Sequence, residues 1–410
     1  MAATQILALD IGSANIKAIV GEIRKDGKLA LLDALRFPSR GLRKGLVDDV
    51  TDLTSAISQV FIELRQNYPE VQKNIFLNIG NAHAKVQSSR GIVAVSRADY
   101  QIYKDDIARV VQAAQAINLP PNRTIVHLIN QEFLVDNVGD IRDPLGMVGS
   151  RLEVNTLIVD AFEPAVKSLV RAVETAGGEI AGLIFGPLAS SQSILTRNQK
   201  DLGVALVDVG FGTTGLAVYE EGKLIDVAVF PVGASNVTND LAIGLKVSIE
   251  AAEAIKCTFA SALAKEVGAR EMIDLRKIDP RAKGAATRRF IGEITEMRLS
   301  EIFEFVQNEL KRIGKAGRLP AGVVLVGGGA KLPGMVELAR QELRLPSQIG
   351  EPDLSGLELP NGELAIRVEE PEFACALGLI LWSHNQSLAA PRKPSGVSGA
   401  LRKLFDQFLP

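Results

Sequence analysis

Two segments of the chain set an aspartate beside small residues: Asp10-Ile11-Gly12-Ser13-Ala14-Asn15-Ile16-Lys17 and Asp208-Val209-Gly210-Phe211-Gly212-Thr213-Thr214. Glycine lets the main chain approach a ligand closely and point its N–H groups at phosphate oxygens. The first turn adds the Ser13 hydroxyl, Asn15 and the Lys17 amine. The second adds the hydroxyls of Thr213 and Thr214. Together they are suited to the phosphates of a nucleoside triphosphate. Asp10 and Asp208 are the candidate Mg²⁺ residues, acting mainly through water, because Mg²⁺ keeps several of its waters. A third run, Gly327-Gly328-Gly329-Ala330, ends the apolar stretch Val323–Val326 and would let a nucleoside lie against the backbone. The competing reading is that both aspartates only brace their own turns through side-chain bonds to the main chain.

These turns need strands to hold them. Ile6–Leu9 is a short apolar run ending at the first turn, and Ile16–Ile23 and Leu29–Leu32 read as the next two strands. Helical periods follow at Leu53–Gln66, Asp105–Ala116 and Pro164–Ala176, so the pattern is α/β. Leu7-Ala8-Leu9-Asp10-Ile11-Gly12 is echoed by Ala205-Leu206-Val207-Asp208-Val209-Gly210, and Gly27-Lys28-Leu29 by Gly222-Lys223-Leu224. Both copies read strand, Asp-x-Gly turn, strand, Gly-Lys turn, strand. The echo implies a duplicated domain with a cleft between its halves.

Composition narrows the function classes. The chain has 410 residues, 47% hydrophobic and 23% charged, with a net charge of −2. This is the profile of a folded globular protein of two to three domains, at ~150 residues each. The near-neutral charge argues against a nucleic-acid binder. Cys257 and Cys375 are far apart, and the histidines His83, His127 and His384 are scattered, so neither a disulfide framework nor a zinc site is expected. Met1–Gln5 does not read as a signal peptide, Ala2 excludes N-myristoylation, and no apolar run approaches the ~20 residues of a membrane span. His127, Trp382 and Tyr100 read as packing residues.

The last residues differ from the rest. Ser387–Gly399 carries Pro391, Pro394, Gly396 and Gly399 and reads as a linker. Beyond it, Leu401, Leu404, Phe405 and Phe408 fall on one helical face, followed by Leu409, with Arg402 and Lys403 on the other face. Four basic residues, Arg392, Lys393, Arg402 and Lys403, stand against one acid, Asp406, a balance that favours anionic lipid. Burying four large apolar side chains is worth at most ~6 kcal/mol. Ordering the helix offsets much of this, at ~1 kcal/mol per residue. One copy should bind a membrane weakly, and an array of copies far more tightly through effective concentration. The alternative is a helix packed back on its own domain.

The two phosphate turns and the glycine turn occur in the order found in the actin-like ATPases. The segments Phe185-Gly186-Pro187-Leu188-Ala189-Ser190-Ser191 and Glu372-Phe373-Ala374-Cys375-Ala376-Leu377-Gly378 resemble that superfamily's two connecting helices. Within it the chain resembles the FtsA family over nearly its whole length. Ser39–Val47 resembles that family's early loop and helix start. Ile129–Asp136 with Asp143–Leu152 resembles the family's own subdomain 1C. Ala252-Glu253-Ala254-Ile255-Lys256 is similar to the segment whose Glu and Lys flank the nucleoside, and Glu293–Glu301 to a helix of subdomain 2B.

The resemblance implies a duplicated actin-like (ribonuclease H-like) fold, two lobes around a nucleotide cleft, with an inserted α+β subdomain of the 1C type. The implied borders are 1–80, 164–200 and 366–386 for 1A, 81–163 for 1C, 201–235 and 317–365 for 2A, and 236–316 for 2B. A linker at 387–399 and an amphipathic membrane-targeting helix at 400–410 complete the chain. The implied cofactors are ATP and Mg²⁺, with Gly233, Glu253 and Lys256 joining the turn residues around the nucleotide. The implied partners are the C-terminal tail of FtsZ on 2B, further copies of the chain in actin-like filaments, and anionic lipid at the cytoplasmic face of the membrane. The sequence departs from the family at Phe211, where a third glycine is usual, and at Gly215, where an acid is common. The linker is also shorter. The departures imply nucleotide binding with at most weak ATPase activity. The alternatives are a PilM-like adaptor of type IV pilus assembly, which lacks the terminal helix, and a sugar kinase or chaperone ATPase. No catalytic Asp facing a sugar pocket can be placed for a kinase.

Overall fold

A computed structural model describes residues 4–389. Lobe I begins with a meander: β1 (Thr4–Ile11), β2 (Asn15–Ile23) and β3 (Leu29–Pro38). A small hairpin, β4 (Leu42–Arg43) and β5 (Leu46–Val47), precedes α1 (Val50–Arg65), and β6 (Ile75–Ile79) returns to the sheet. An insert follows: β7 (Lys85–Ala94), α2 (Lys104–Gln115), β8 (Arg123–Val135), β9 (Val138–Ile141) and β10 (Arg151–Phe162). Next come α3 (Glu163–Thr175), β11 (Ile180–Phe185), α4 (Gly186–Ile194) and α5 (Arg197–Leu202).

Lobe II repeats the plan with β12 (Val204–Val209), β13 (Thr214–Glu220) and β14 (Lys223–Phe230). Then come α6 (Ala234–Leu245), α7 (Ile249–Phe259), β15 (Met272–Asp274), β16 (Ala285–Thr287) and α8 (Arg288–Arg312). The chain continues through β17 (Val323–Val326), α9 (Met335–Leu343), β18 (Ser347–Ile349), β19 (Leu357–Glu358), α10 (Gly362–Glu369) and α11 (Ala374–Ala389).

The echo in the sequence is a duplication of topology. Lobe I orders its strands β11-β6-β1-β2-β3, with β19 added at the edge, and lobe II orders them β18-β17-β12-β13-β14. The two orders map strand for strand. In each lobe the first strand pairs antiparallel with the second and parallel with the fourth. Central strands buried on both faces read as continuous apolar runs, which is why Leu7–Leu9 and Ala205–Val207 lack alternation. α1 covers one face of the lobe I sheet through Leu53, Ile57, Val60 and Phe61, and α11 covers the other through Ala376, Leu377 and Ile380.

The two connecting helices α4 and α11 cross where Gly378 meets Ala189. A Cβ on Gly378 would stand 1.8 Å from the Ala189 carbonyl oxygen, so only glycine permits this approach. The insert forms a sheet of its own, β7-β10-β8-β9, over a separate core of Val110, Val111, Phe133, Leu152 and Val154. It also grips lobe II. The Lys223 ammonium lies 3.4 Å from Glu132 and 3.0 Å from Asp140, and the Gln131 amide donates to the Leu224 carbonyl at 2.8 Å.

Three sequence readings meet the structure here. His127 is buried, its Nε2 accepting from the Phe185 N–H at 2.8 Å, and burial pushes its pKa down to about 3. Trp382 is half-buried, its ring centroid 5.4 Å from that of His127. Tyr100 is corrected: it is 52% exposed and sits at a turn with φ +52°, where no core is at hand.

Candidate functional site

The two Asp-x-Gly turns have the same local geometry. Gly12 N–H donates to Asn15 O at 3.0 Å, and Gly210 N–H to Thr213 O at 2.9 Å. A Cβ on either glycine would lie within 3 Å of the carbonyl that its N–H contacts, 2.9 Å at Gly12 and 2.8 Å at Gly210. The glycines therefore serve close approach in a tight turn between antiparallel strands. The turns also meet across the cleft. A Cβ on Gly212 would stand 2.6 Å from the Ser13 hydroxyl and 3.1 Å from the Lys44 backbone nitrogen.

Between the turns lies a cavity of about 150 Å³. Gly12, Ser13, Ala14, Asn15 and Lys17 line it from lobe I, and Gly210, Gly212 and Thr213 from lobe II. Asp10, Asp208, Gly327 and Gly328 are the other residues expected from the sequence that line it. Gly186 and Pro187, at the start of α4, also line it, so the positive end of that helix faces the same space.

The electrostatics of the two aspartates differ. Asp10 is buried and forms an ion pair with Lys17 at 3.1 Å. Burial works against the Lys17 ammonium, yet Asp10 beside it and Asp208 farther off hold its pKa above the usual lysine value. Asp208 accepts a 2.9 Å hydrogen bond from the Ser190 hydroxyl of α4. Burial, reinforced by the nearby Asp10, pushes its carboxyl up to about 6, with Ser190 and Lys17 opposing. A divalent cation beside these two carboxylates would favour their ionised forms, so the donor set fits Mg²⁺.

Other expected residues stand one layer behind the cavity. Thr214 is buried and spends its hydroxyl on the Val232 carbonyl at 2.9 Å. Gly233 is packed beneath the second turn, where a Cβ would meet the carbonyls of Gly210 and Phe211, each at 2.7 Å. Gly329 and Ala330 are buried, with Gly329 against Val209. Glu253 and Lys256 lie on α7. The Lys256 ammonium donates to Glu253 at 2.7 Å and Thr238 at 2.9 Å, and sits 5.1 Å from the centre of the Phe211 ring. These residues brace the second turn, and none of the six lines the cavity. The membrane residues Leu401, Arg402, Lys403, Leu404, Phe405, Phe408 and Leu409 lie outside the described residues.

Several cavity residues were given no role at the site by the sequence. Asn78 lines the site and accepts from the Ile11 N–H at 2.9 Å, tying the first turn to the neighbouring strand β6. Leu42 and Gly45 reach it from the β4–β5 hairpin. That hairpin corrects the reading of Ser39–Val47 as a helix start, since α1 begins at Val50 behind an Asp49 cap. Cys375, on α11, also lines the cavity, and burial, with Asp10 and Asp208 adding to it, pushes its thiol well above the usual range. Arg298, on α8, pairs with Asp240 at 2.6 Å and with Glu301.

Comparison with known proteins gives this arrangement a family. Residues 205–378 match the family model described as cell division protein FtsA, and residues 81–160 match the SHS2 domain inserted in FtsA, which coincides with the insert β7–β10. The chain is 36% identical over 378 residues to cell division protein FtsA of Pseudomonas aeruginosa, covering 92% of this chain and 88% of that protein. It is 33% identical to the Bacillus subtilis protein of the same name, covering 94% and 85%, and 30% identical to that of Escherichia coli, covering 93% and 91%.

Among solved structures, the PilM-PilN type IV pilus biogenesis complex matches with a TM-score of 0.65 at 18% identity, covering 92% of this chain and 98% of that one. MreB5 of Spiroplasma citri bound to AMPPNP matches with a TM-score of 0.56 at 14% identity, covering 94% and 97%. These likenesses establish the fold, a duplicated actin-like α/β architecture with an inserted subdomain. This chain belongs to the FtsA family of cell division proteins.

Proposed function

We propose that this protein binds ATP with Mg²⁺ between its lobes, assembles into actin-like filaments, and tethers the FtsZ ring to the inner face of the cytoplasmic membrane. The observation that carries the nucleotide reading is the meeting of the two Asp-x-Gly turns across one small cavity, with Lys17, Asp10 and Asp208 converging on it. Lys17 and the turn N–H groups bind phosphate oxygens. Asp10 and Asp208 hold the cation, whose chemistry is neutralisation of the phosphate charge. MreB5, a structural neighbour, is described with AMPPNP bound, which supports the reading. A cavity of about 150 Å³ is below the ~300 Å³ at which small-molecule pockets usually begin, so the lobes part to admit a whole nucleotide.

Turnover is slow in this reading. The departures at Phe211 and Gly215 both fall at the second turn, and both residues line the cavity. Subdomain 2B, with α8 and its Arg298–Asp240 pair, is the proposed seat of the FtsZ tail. The membrane contact is assigned to residues 400–410 on their sequence pattern. The pattern also favours this reading over a PilM-like adaptor, since the PilM likeness at 18% identity is one of fold alone.

The test is co-sedimentation of the full chain with anionic liposomes, with and without ATP, beside Phe405→Glu. The expected result is pelleting of the parent chain, enhanced by ATP, and its loss in Phe405→Glu with ATP binding unchanged. Equal pelleting of the two chains would remove the tether from the proposal.

A further inference from the structure

A second cavity among the described residues is larger than the cleft. It has a volume of about 670 Å³ and lies where lobe I, the insert and the β13–β14 turn meet. That size is within the ~300–1,000 Å³ of ordinary small-molecule pockets. Its apolar wall is built from four separate elements: Ile129 of β8, Leu188 of α4, Tyr219 of β13 and Trp382 of α11. The Tyr219 hydroxyl is fixed 2.7 Å from Ser191 Oγ, so the ring is held in place.

The charged groups around this wall are unevenly matched. Lys223 is occupied by Glu132 and Asp140. Three further cations line the cavity, Arg142, Arg197 and Lys200, and none forms an ion pair among the described residues. Lys200 is the half-buried one, its ammonium 4.9 Å from the centre of the Tyr219 ring. Asp201 and Glu221, which also line the cavity, are exposed. Burial pushes the Lys200 amine down to about 8, the mark of an ammonium held away from water without a counter-charge.

We infer that this cavity is a binding site for an amphipathic organic anion, with its apolar body against Trp382, Tyr219 and Leu188 and its acid group on Lys200, Arg142 and Arg197. Such a ligand supplies the missing charge to Lys200 and covers the aromatic wall in one step. The site is separate from the cleft, so the inference stands whether or not ATP binds there. The titratable groups that line the cavity with Lys200 are Arg197 and Asp201 on its own helix, Tyr219 and Glu221 from β13 and its turn, Lys223 from β14, and Glu132 and Arg142 from the insert. With its amine pushed down to about 8 by burial, Lys200 changes charge near that pH.

The experiment uses a fluorescent aromatic sulfonate, 8-anilinonaphthalene-1-sulfonate, with the full chain. The chain has one tryptophan, Trp382, and it lines the cavity, so energy transfer from tryptophan to dye reports binding beside it. The expected result is saturable transfer that persists under excess ATP. Lys200→Met should weaken binding about tenfold, as loss of a charge-assisted bond does. Arg142→Gln, a change at an exposed loop residue that spares the fold, should weaken it less. The parent affinity should fall as pH rises through about 8, and this step should vanish in Lys200→Met. Absence of transfer, displacement of the dye by ATP, or unchanged affinity in both variants would each overturn the assignment.

Discussion

The two Asp-x-Gly turns share a backbone and differ in one cross-strand neighbour. In lobe I the residue directly opposite Asp10 is Lys17, and in lobe II the residue directly opposite Asp208 is Gly215. The first aspartate therefore finds its counter-charge within its own hairpin. The second has no cation there and takes a hydroxyl from α4 instead. Gly215 is imposed by packing, because a Cβ at that position would stand 2.9 Å from Cγ of Pro187. The comparison teaches that a duplicated turn keeps its shape through glycine and hydrogen bonds, while its charge is set by whatever element the fold brings alongside. Lobe I holds a prepaired ion pair. Lobe II holds a carboxyl that is hydrogen-bonded to Ser190 and forms no ion pair among the described residues.

The sharpest way to break this contrast is to remove the lysine. Lys17→Met leaves Asp10 buried without a partner, and unfolding free energy should fall by about 3–5 kcal/mol, the usual cost of breaking a buried pair. Urea denaturation measures it, and a loss under ~1 kcal/mol would mean that the pair does not act as a buried one. The next effect comes from asking lobe II to carry a side chain where lobe I does. Gly215→Ala pushes against the rigid Pro187 ring and should cost about 1–3 kcal/mol. An unchanged thermal midpoint would show that α4 can move aside freely.

The smallest effect is in pH. The folded Asp208 carboxyl, pushed up to about 6, holds its proton more tightly than the unfolded one at ~4. Its contribution to stability is therefore greatest below pH ~4, is lost as pH rises to about 6, and is flat above. In the nucleotide-free protein the change should be about 1 kcal/mol, reduced by access to water in the cleft. Asp208→Asn should flatten that step. A step of equal size in the variant would assign it to another group.

The duplication was legible because its marks are local. An apolar run, Asp-x-Gly and a following Gly-Lys turn all fall within one three-stranded meander, and they recur at Asp208. The insert was legible through resemblance, and its own core accounts for its independence as a unit. What was not legible came from elements distant in the chain. Asn78 reaches the first turn from a strand that carries no motif, and Pro187 dictates Gly215 only because α4 packs across the second sheet. Thr214, Gly233 and Lys256 carry the right residue types beside the turn, yet strand direction and packing place them a layer behind it. No pattern in the sequence announces the cavity around Lys200, since its wall needs four elements to assemble first.

The grip of the insert on lobe II gives strand β13 a mechanical role. One end of the strand leaves the second Asp-x-Gly turn at Thr214, and the other ends beside the Glu221-Gly222 turn whose neighbours Lys223 and Leu224 are held by the insert. Seven residues at ~3.3 Å each make a stiff bar of about 20 Å. Such a bar couples its two ends, so the second Asp-x-Gly turn and the grip of the insert share one mechanical element.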